Sequence, residues 1–171
     1  IKQSAASSNL LVHEGKAVVF ENLEDLANRV DTEELDVSKD DVLVLKSIGP
    51  KGGPGMPEAG LIPIPKKLAR QGVKDMVRVS DGRMSGTASG TIVLHVTPES
   101  YEKGPLAVVQ NGDLIKLDVP NRKIDLLISK DEMNKRISLL SDDKIKRRGY
   151  NKLYMNEVTQ ADEGVDFQFL K

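Results

Sequence analysis

The sequence predicts a single α/β domain built on a mixed β barrel or sheet with peripheral helices. Its 171 residues are enough for one domain with a buried core. Short apolar runs rich in Val, Ile and Leu recur along the chain. Some are separated by helical patterns, and others only by tight turns. Strands connected in both ways are typical of a mixed α/β barrel or sheet.

The amino-terminal half alternates predicted strands with helices. Residues 1–9 are polar and offer little for a core to bury, so we expect a cut or processed end of a longer protein. Asn22 is expected to cap a helix whose apolar side chains share one face: Leu23, Leu26, Ala27 and Val30. The predicted elements are, in order, a strand over 16–20, the capped helix over 23–30, an acidic connector over 31–41, a strand over 42–48, a short helix over 64–72 ended by Gly72, and a strand over 75–80.

The carboxy-terminal half is predicted to be mainly β structure before it ends in helices. The predicted strands cover 91–96, 105–109, 114–119 and 124–129, separated by a break at Pro98, an Asn-Gly turn over 110–113 and a second turn over 120–123. Ser129 and Glu132 have the spacing of a capping box, which predicts a helix over 130–140. A last helix is expected over 146–158, and the charge-rich stretch 130–148 is expected to be a solvated helical face.

The composition excludes several classes of function. The 25 basic and 26 acidic residues leave a net charge of -1, which favours neither nucleic acid nor an anionic membrane as a partner. No apolar run approaches the roughly 20 residues of a membrane span, and no signal-peptide pattern is present, so a soluble, cytoplasmic protein is expected. With no cysteine, these residues cannot form a disulfide, a thiolate zinc site or a cysteine-bound iron–sulfur cluster.

Two glycine-rich loops each follow a predicted apolar strand. Glycines let backbone N–H groups approach an anion, but residues 49–56 (GPKGGPGM) lack the Gly-Lys-Ser/Thr ending of a nucleotide P-loop, and neither loop contains G-x-G-x-x-G. Residues 80–90 (SDGRMSGTASG) lack the nucleophile elbow of α/β hydrolases, since Arg83 and Thr87 flank Ser85 where that elbow has glycines. By composition alone, both loops are interpreted as tight connections.

The two loops and three later segments together resemble one known family. The segments GPKGGPGMPE (49–58), SDGRMSGTASG (80–90), HVTPES (95–100), GPLAVVQNGDLIKLD (104–118) and ADEG (161–164) are similar to the carboxy-terminal domain of the iron–sulfur-dependent dihydroxy-acid and sugar-acid dehydratases. The resemblance covers nearly the whole chain. It implies a swivelling β/β/α domain like that of aconitase-type enzymes.

The resemblance also implies a two-domain hydro-lyase that removes water from a 2,3-dihydroxy carboxylate and gives a 2-keto acid. In that family a larger amino-terminal domain carries the cluster cysteines and most ligands of a Mg²⁺ ion. We therefore expect residues 1–171 to be one carboxy-terminal domain that is inactive in isolation. Its expected partners are the amino-terminal domain, a small sugar acid or dihydroxy acid, and further copies of the complete protein.

Three site residues follow from the resemblance by position. Glu58 matches the Mg²⁺ ligand, and a carboxylate oxygen suits a hard divalent cation that needs other ligands as well. Ser85 matches the catalytic base that removes the proton at C2 as an alkoxide, which requires cationic or Lewis-acidic neighbours. Thr87 is expected to hydrogen-bond the substrate or Ser85, with ordinary loop packing as the alternative. The glycines are expected to clear the approach to Ser85.

Other polar residues near these loops are expected to have structural roles. Asp81 and Arg83 should brace the loop by pairing with backbone or with each other. His95 should be a packed, hydrogen-bonded imidazole in an apolar strand. Lys51 is interpreted either as a residue that steers an anionic substrate or as a solvated lysine.

The choice of branch within the family rests on a few departures from the commonest dihydroxy-acid pattern. Met84, the continuation SGTASG (85–90) and Leu94 favour the sugar-acid branch, such as arabonate- or xylonate-type dehydratases. Synthesis of branched-chain amino-acid precursors is the second possibility. The alternative class of function is a non-catalytic binding or interaction domain that has kept the loops as scaffold.

Overall fold

The computed structural model describes residues 1–141 and 148–171. In these residues six strands form one mixed sheet that curves into a half-barrel, with four α-helices around it. The predicted α/β class with a mixed sheet is therefore confirmed. The strands are β1 (Val12–Phe20), β2 (Val42–Leu45), β3 (Arg78–Ser80), β4 (Ile92–Val93), β5 (Leu114–Asp118) and β6 (Lys123–Leu126). The helices are α1 (Leu23–Arg29), α2 (Lys66–Arg70), α3 (Lys130–Ser138) and α4 (Gly149–Glu157).

The strand order divides the sheet into a parallel half and an antiparallel half. The order is β4-β3-β2-β1-β5-β6. Strands β1 to β4 pair in parallel, whereas β5 pairs antiparallel with both β1 and β6. The glycine-rich loops follow β2 and β3, so both leave the sheet from its parallel half.

Both faces of the central strands are buried. Successive residues of a strand point to opposite faces, so Val42 and Val44 belong to one apolar cluster and Leu43 and Leu45 to the other. The first cluster includes side chains from β3 and β5, and the second includes side chains from α1 and α2. Each residue of β2 is at most 1% exposed, as expected for a parallel strand that is covered on both faces.

Helix α1 begins where predicted, but only two of the four predicted apolar side chains are buried. The Asn22 side-chain oxygen accepts a hydrogen bond from the Asp25 N–H at 2.9 Å, which confirms the predicted cap. Leu26 and Val30 are buried in the second apolar cluster. Leu23 and Ala27 are exposed, because the short helix reaches that cluster only through the other two side chains.

The other helices largely agree with the predictions. Gly72 follows α2 with a φ of 88°, and Ser129 Oγ accepts a hydrogen bond from the Glu132 N–H at 3.1 Å at the start of α3. Helix α3 has no buried residue, in agreement with a solvated face. Residues 142–147 of the predicted stretches 130–148 and 146–158 lie outside the described residues. Within the described ranges, no helix has the length and apolar character needed to cross a bilayer.

The strand predicted over 105–109 is wrong, because Pro105–Val108 is a 3₁₀ helix. Pro105 stands at its start, where the fixed φ and missing N–H of proline fit a helical first turn. The Asn-Gly turn consequently lies against β1 instead of joining a hairpin. The Asn111 side-chain oxygen accepts from the Val19 N–H at 2.7 Å, and the Gly112 N–H donates to the Ala17 carbonyl at 2.9 Å.

A buried ion pair fixes the chain where both glycine-rich loops end. Arg78 is 4% exposed, and its Nη2 lies 2.8 Å from Asp75 Oδ1. Arg78 Nη1 donates to the carbonyl oxygens of Leu61 and Ile62, each at 3.0 Å, just after the first loop. Asp75 accepts from the Thr91 hydroxyl at 2.7 Å, just after the second loop. Burial alone raises the pKa of Asp75, but hydrogen bonds, led by those from Thr91, hold it below its ordinary value.

We expect Asp75→Ala to lower the free energy of unfolding by about 3–5 kcal/mol, because it leaves the Arg78 charge buried without its partner. Glu33→Ala is the matched control, since Glu33 pairs with Arg70 and both side chains are 70% exposed. The control should lose less than about 1 kcal/mol. Chemical denaturation measures both losses, and equal losses would contradict the role given to the buried pair.

Candidate functional site

Parallel pairing of β2 and β3 brings the two glycine-rich loops to the same edge of the sheet. Leu45, at the end of β2, is in register with Ser80, at the end of β3. The segments that follow, residues 46–60 and 81–91, therefore start side by side. Open α/β sheets bind their ligands at this carboxyl edge of the strands.

Asp81 is fully buried and joins the starts of both loops. Its Oδ1 accepts a hydrogen bond from the Ile48 N–H at 3.0 Å. Its Oδ2 accepts from the Ser100 N–H at 2.9 Å and from the Ser100 hydroxyl at 2.5 Å. The hydrogen bonds to both carboxylate oxygens provide the compensation that a buried charge requires. The side chain of Asp81 thus fastens the first loop and the segment after β4 to the start of the second loop.

Glu99 is a second buried carboxylate, and the sequence analysis assigned it no role. It accepts hydrogen bonds from the Lys51 N–H at 2.9 Å, the Gly52 N–H at 2.8 Å and Gln160 Nε2 at 2.7 Å. Burial raises the pKa of the Glu99 carboxyl, although the hydrogen bonds from Gly52, Gln160 and Lys51 act in the opposite direction. The segment HVTPES was part of the family resemblance, but a glutamate after a proline gave no sign of burial.

The glycines of the loops have two different roles. A Cβ at Gly49 would lie 2.7 Å from Glu99 Oε2, and one at Gly82 would lie 2.3 Å from Ile48 Cδ1. Gly49 is thus crowded by the buried Glu99 side chain of the segment after β4, and Gly82 by the buried Ile48 side chain of the first loop, so neither position has room for a side chain. Gly86, beside Ser85, has no neighbouring atom within 4 Å of an added Cβ, so it fits the predicted open approach to the serine.

Arg83 connects the second loop to the first through three contacts. Its Nη2 lies 3.1 Å from Glu58 Oε1, and its Nε donates to the Met56 carbonyl at 2.8 Å. The Arg83 carbonyl accepts from the Gly60 N–H at 2.7 Å. The expected bracing by Asp81 and Arg83 is therefore present. Asp81 bonds backbone N–H groups and a serine, while Arg83 bonds the other loop.

Ser85 and Thr87 lie together at the middle of the second loop. Their hydroxyl oxygens are 3.1 Å apart, and the Thr87 N–H donates to Ser85 Oγ at 3.5 Å. The Ala88 N–H donates to the Ser85 carbonyl at 3.0 Å and closes a turn. Ser85 is half-buried and Thr87 is exposed. Of the roles considered for Thr87, a hydrogen bond to Ser85 is the one that the geometry contains.

Lys51 forms an ion pair, and His95 lies outside the strand in which it was expected. Lys51 Nζ lies 3.0 Å from Glu102 Oε1 in an ion pair. The prediction that His95 is packed in a strand is wrong, because β4 ends at Val93 and His95 is exposed with a φ of 55°. Partial desolvation and the Arg83 guanidinium lower the pKa of His95.

The carboxy-terminal segment is linked to the first loop through Glu99, which accepts hydrogen bonds from both. Gln160 reaches Glu99 twice, since its Nε2 donates to the carboxylate at 2.7 Å and its Oε1 accepts from the Glu99 N–H at 2.9 Å. Tyr154, in α4, packs edge-on against Phe167, with the two ring centroids 5.8 Å apart. Burial raises the pKa of Tyr154. The sequence gives no indication that this distant segment binds the carboxylate that holds the first loop.

Glu58 is the carboxylate at this edge that is open to a cation. Its side chain is 47% exposed. Across residues 1–141 and 148–171, no cluster of three or more His, Asp or Glu side chains forms a metal-binding group. The edge presents the Glu58 carboxylate, the Arg83 guanidinium and the hydroxyls of Ser85 and Thr87, a set that suits an anionic, hydroxyl-bearing ligand.

Comparison with known proteins identifies similar sequences over the whole chain. The model of the dihydroxy-acid/6-phosphogluconate dehydratase carboxy-terminal domain matches residues 1–165. An L-arabonate dehydratase of Azospirillum brasilense is 50% identical over 99% of the chain, and an L-arabinonate dehydratase of Rhizobium leguminosarum bv. trifolii is 48% identical over 100% of it. A dihydroxy-acid dehydratase of Carboxydothermus hydrogenoformans is 42% identical over 98% of the chain. The chain spans 30% of the length of each of these relatives.

We expect Glu99→Gln to lower the free energy of unfolding by about 1–3 kcal/mol, because an amide NH₂ would face backbone N–H donors in a buried place. The loop should also loosen, so trypsin should cleave faster after Lys51. Glu163→Gln is the control, since Glu163 is 48% exposed and pairs with Lys171. Unchanged stability and unchanged cleavage in Glu99→Gln would show that the loop does not depend on this carboxylate.

Proposed function

Because this chain belongs to the dihydroxy-acid/6-phosphogluconate dehydratase family, matching the model of its carboxy-terminal domain, we propose that it is the substrate-facing domain of a hydro-lyase. The proposed reaction removes water from a 2,3-dihydroxy carboxylate and gives a 2-keto acid. The observation that carries the proposal is the junction at Arg83, which joins the loop bearing Glu58 to the loop bearing Ser85.

Ser85 is the proposed base that removes the proton at C2 of the substrate. The open space at Gly86 supports access to its hydroxyl. A serine hydroxyl ionises only with help from its surroundings, and Arg83 contributes a guanidinium on the same loop. When Ser85 is ionised, the hydroxyl and N–H of Thr87 both have the position to donate to its oxygen. Donors held in place before the reaction stabilise a charge that develops during it.

Glu58 is proposed as this domain's ligand to Mg²⁺. A half-exposed carboxylate has the oxygen chemistry that Mg²⁺ prefers. One carboxylate does not hold the ion by itself, so the other ligands come from outside this domain in the complete protein. When bound, the metal supplies Lewis-acid polarisation of a substrate oxygen. Glu58 contributes one negatively charged ligand to a metal site that this domain shares with the rest of the complete protein.

The complete protein is proposed to contain an amino-terminal domain that holds an iron–sulfur cluster and the remaining Mg²⁺ ligands. The length of the relatives supports this organisation, because the chain spans only 30% of the L-arabonate dehydratase that it matches. Residues 1–171 contain no cysteine, so the cluster ligands belong to the other domain. The isolated domain is then inactive, and the complete enzyme works in the cytoplasm as a homo-oligomer.

A sugar acid is the proposed class of substrate. The two relatives named for L-arabonate or L-arabinonate are 50% and 48% identical, compared with 42% for the dihydroxy-acid dehydratase. The departures at Met84 and Leu94 favour the same branch. Both substrate classes carry a carboxylate next to the carbon that loses its proton, so the residue roles are the same for either.

In the complete enzyme, Glu58→Gln is expected to weaken Mg²⁺ binding by about tenfold or more, because the amide keeps the shape of the side chain but loses its charge. Isothermal titration with Mg²⁺ measures the dissociation constant. Glu33→Gln is the control, since Glu33 is an exposed glutamate that is likewise paired with an arginine, Arg70. An unchanged dissociation constant in Glu58→Gln would remove Glu58 from the metal site.

Ser85→Ala in the complete enzyme is expected to lower kcat by about 10²–10⁴-fold, as is typical when a positioned base is lost. Exchange of the substrate C2 hydrogen with solvent should fall with it, whereas substrate affinity and cluster content should stay near normal. Ser89→Ala is the matched control, because Ser89 is an exposed serine on the same loop. Near-normal turnover in a folded Ser85→Ala enzyme would contradict the proposed role.

A further inference from the structure

The ion pair between Arg83 and Glu58 is exposed, unlike the pair between Arg78 and Asp75. Its two side chains are each 47% exposed, whereas those of Arg78 and Asp75 are 5% and 10% exposed. Exposed pairs contribute little to stability, because water competes for both charges. A buried pair leaves an uncompensated charge when it is broken. Of these two contacts, the one between Arg83 and Glu58 is therefore the more easily exchanged.

The guanidinium of Arg83 has a second anchor that does not involve Glu58. Its Nε donates to the Met56 carbonyl at 2.8 Å, and Met56 is 5% exposed. The backbone of Arg83 is fixed as well, since its carbonyl accepts from the Gly60 N–H at 2.7 Å. Loss of the Glu58 carboxylate would leave the guanidinium held at the junction of the two loops with its Nη donors free.

We propose that Arg83 is an exchangeable partner of Glu58, which a divalent cation displaces and which then binds the carboxylate of the substrate. This inference rests on the proposed role of Glu58 as a metal ligand. A cation that binds Glu58 Oε1 competes with Arg83 Nη2, which lies 3.1 Å from that oxygen. The cation and the guanidinium also repel each other when both lie next to the same carboxylate.

The geometry of the released side chain fits the second part of the exchange. Guanidinium donors bind a carboxylate in a planar, often bidentate arrangement. Arg83 stands two residues before Ser85, so an anion bound at its Nη donors lies beside the loop that carries the proposed base. In this exchange the guanidinium of Arg83 first holds Glu58 and then orients the acid end of the substrate.

The test measures Mg²⁺ binding and substrate kinetics of Arg83→Gln in the complete enzyme. Removing the competing cation should tighten Mg²⁺ binding by about 3–10-fold in isothermal titration, since a repulsive charge is lost. The KM for a sugar-acid substrate should rise by about tenfold or more, because a charged hydrogen bond to the carboxylate is lost. Arg70→Gln is the control, since it removes the same charge from the exposed pair with Glu33.

Arg83→Lys keeps the charge but lacks the planar fork, so it should raise KM without tightening Mg²⁺ binding. It also separates the effect of charge from any loss of folding in Arg83→Gln. Weaker or unchanged Mg²⁺ binding in folded Arg83→Gln, or an unchanged KM, would overturn the exchange. If Glu58→Gln itself leaves Mg²⁺ binding unchanged, the metal role of Glu58 fails. If only the Arg83 variants depart from expectation, this inference alone fails.

Discussion

The buried carboxylate of Asp81 holds the loop architecture together. The carboxylate is fully buried, so the protein must provide hydrogen-bond donors in place of water. The donors are the backbone N–H groups of Ile48 and Ser100 and the Ser100 hydroxyl. A carboxylate accepts several hydrogen bonds at once and can therefore gather separate segments at one point. Loops rich in glycine and proline have no regular hydrogen bonding of their own. Asp81 fixes where both loops begin, because its carboxylate, at the start of the second loop, takes the Ile48 N–H of the first loop.

Glu99 and the Asp75–Arg78 pair apply the same principle elsewhere on the loops. Glu99 receives the N–H groups of Lys51 and Gly52, and Arg78 donates to carbonyls just after the first loop. The ends of the loops are thus held by buried charges that are costly to separate. Their middles meet through the exposed pair of Arg83 and Glu58, which is weak and exchangeable. A buried ion pair at the ends of the loops and an exposed pair between their middles agree with the proposed exchange of ligands at Glu58 and Arg83.

Agreement between sequence and structure was best where the signal was local. The Asn22 and Ser129 caps depend on residues three positions away, and both formed as predicted. The segment 105–109 has strand-like residues, but Pro105 at its start and the packing of Leu106 into the core favoured a 3₁₀ turn. His95 was assigned to a strand because of its apolar neighbours, yet pairing with β3 stops at Val93.

The α/β class, most strand and helix positions and the absence of cysteine ligands can be predicted from the sequence, because they follow from composition and from patterns within a few residues. The family resemblance rests instead on five longer segments of the sequence. Tertiary structure alone decided the register that aligns Leu45 with Ser80, the burial of Glu99 and the contact between Arg83 and Glu58. Glu99 is hydrogen-bonded to Lys51 and to Gln160, which are separated from it by 48 and 61 positions along the chain. Contacts at such separations depend on how the whole sheet assembles, since no local propensity encodes which distant N–H groups will meet a given carboxylate.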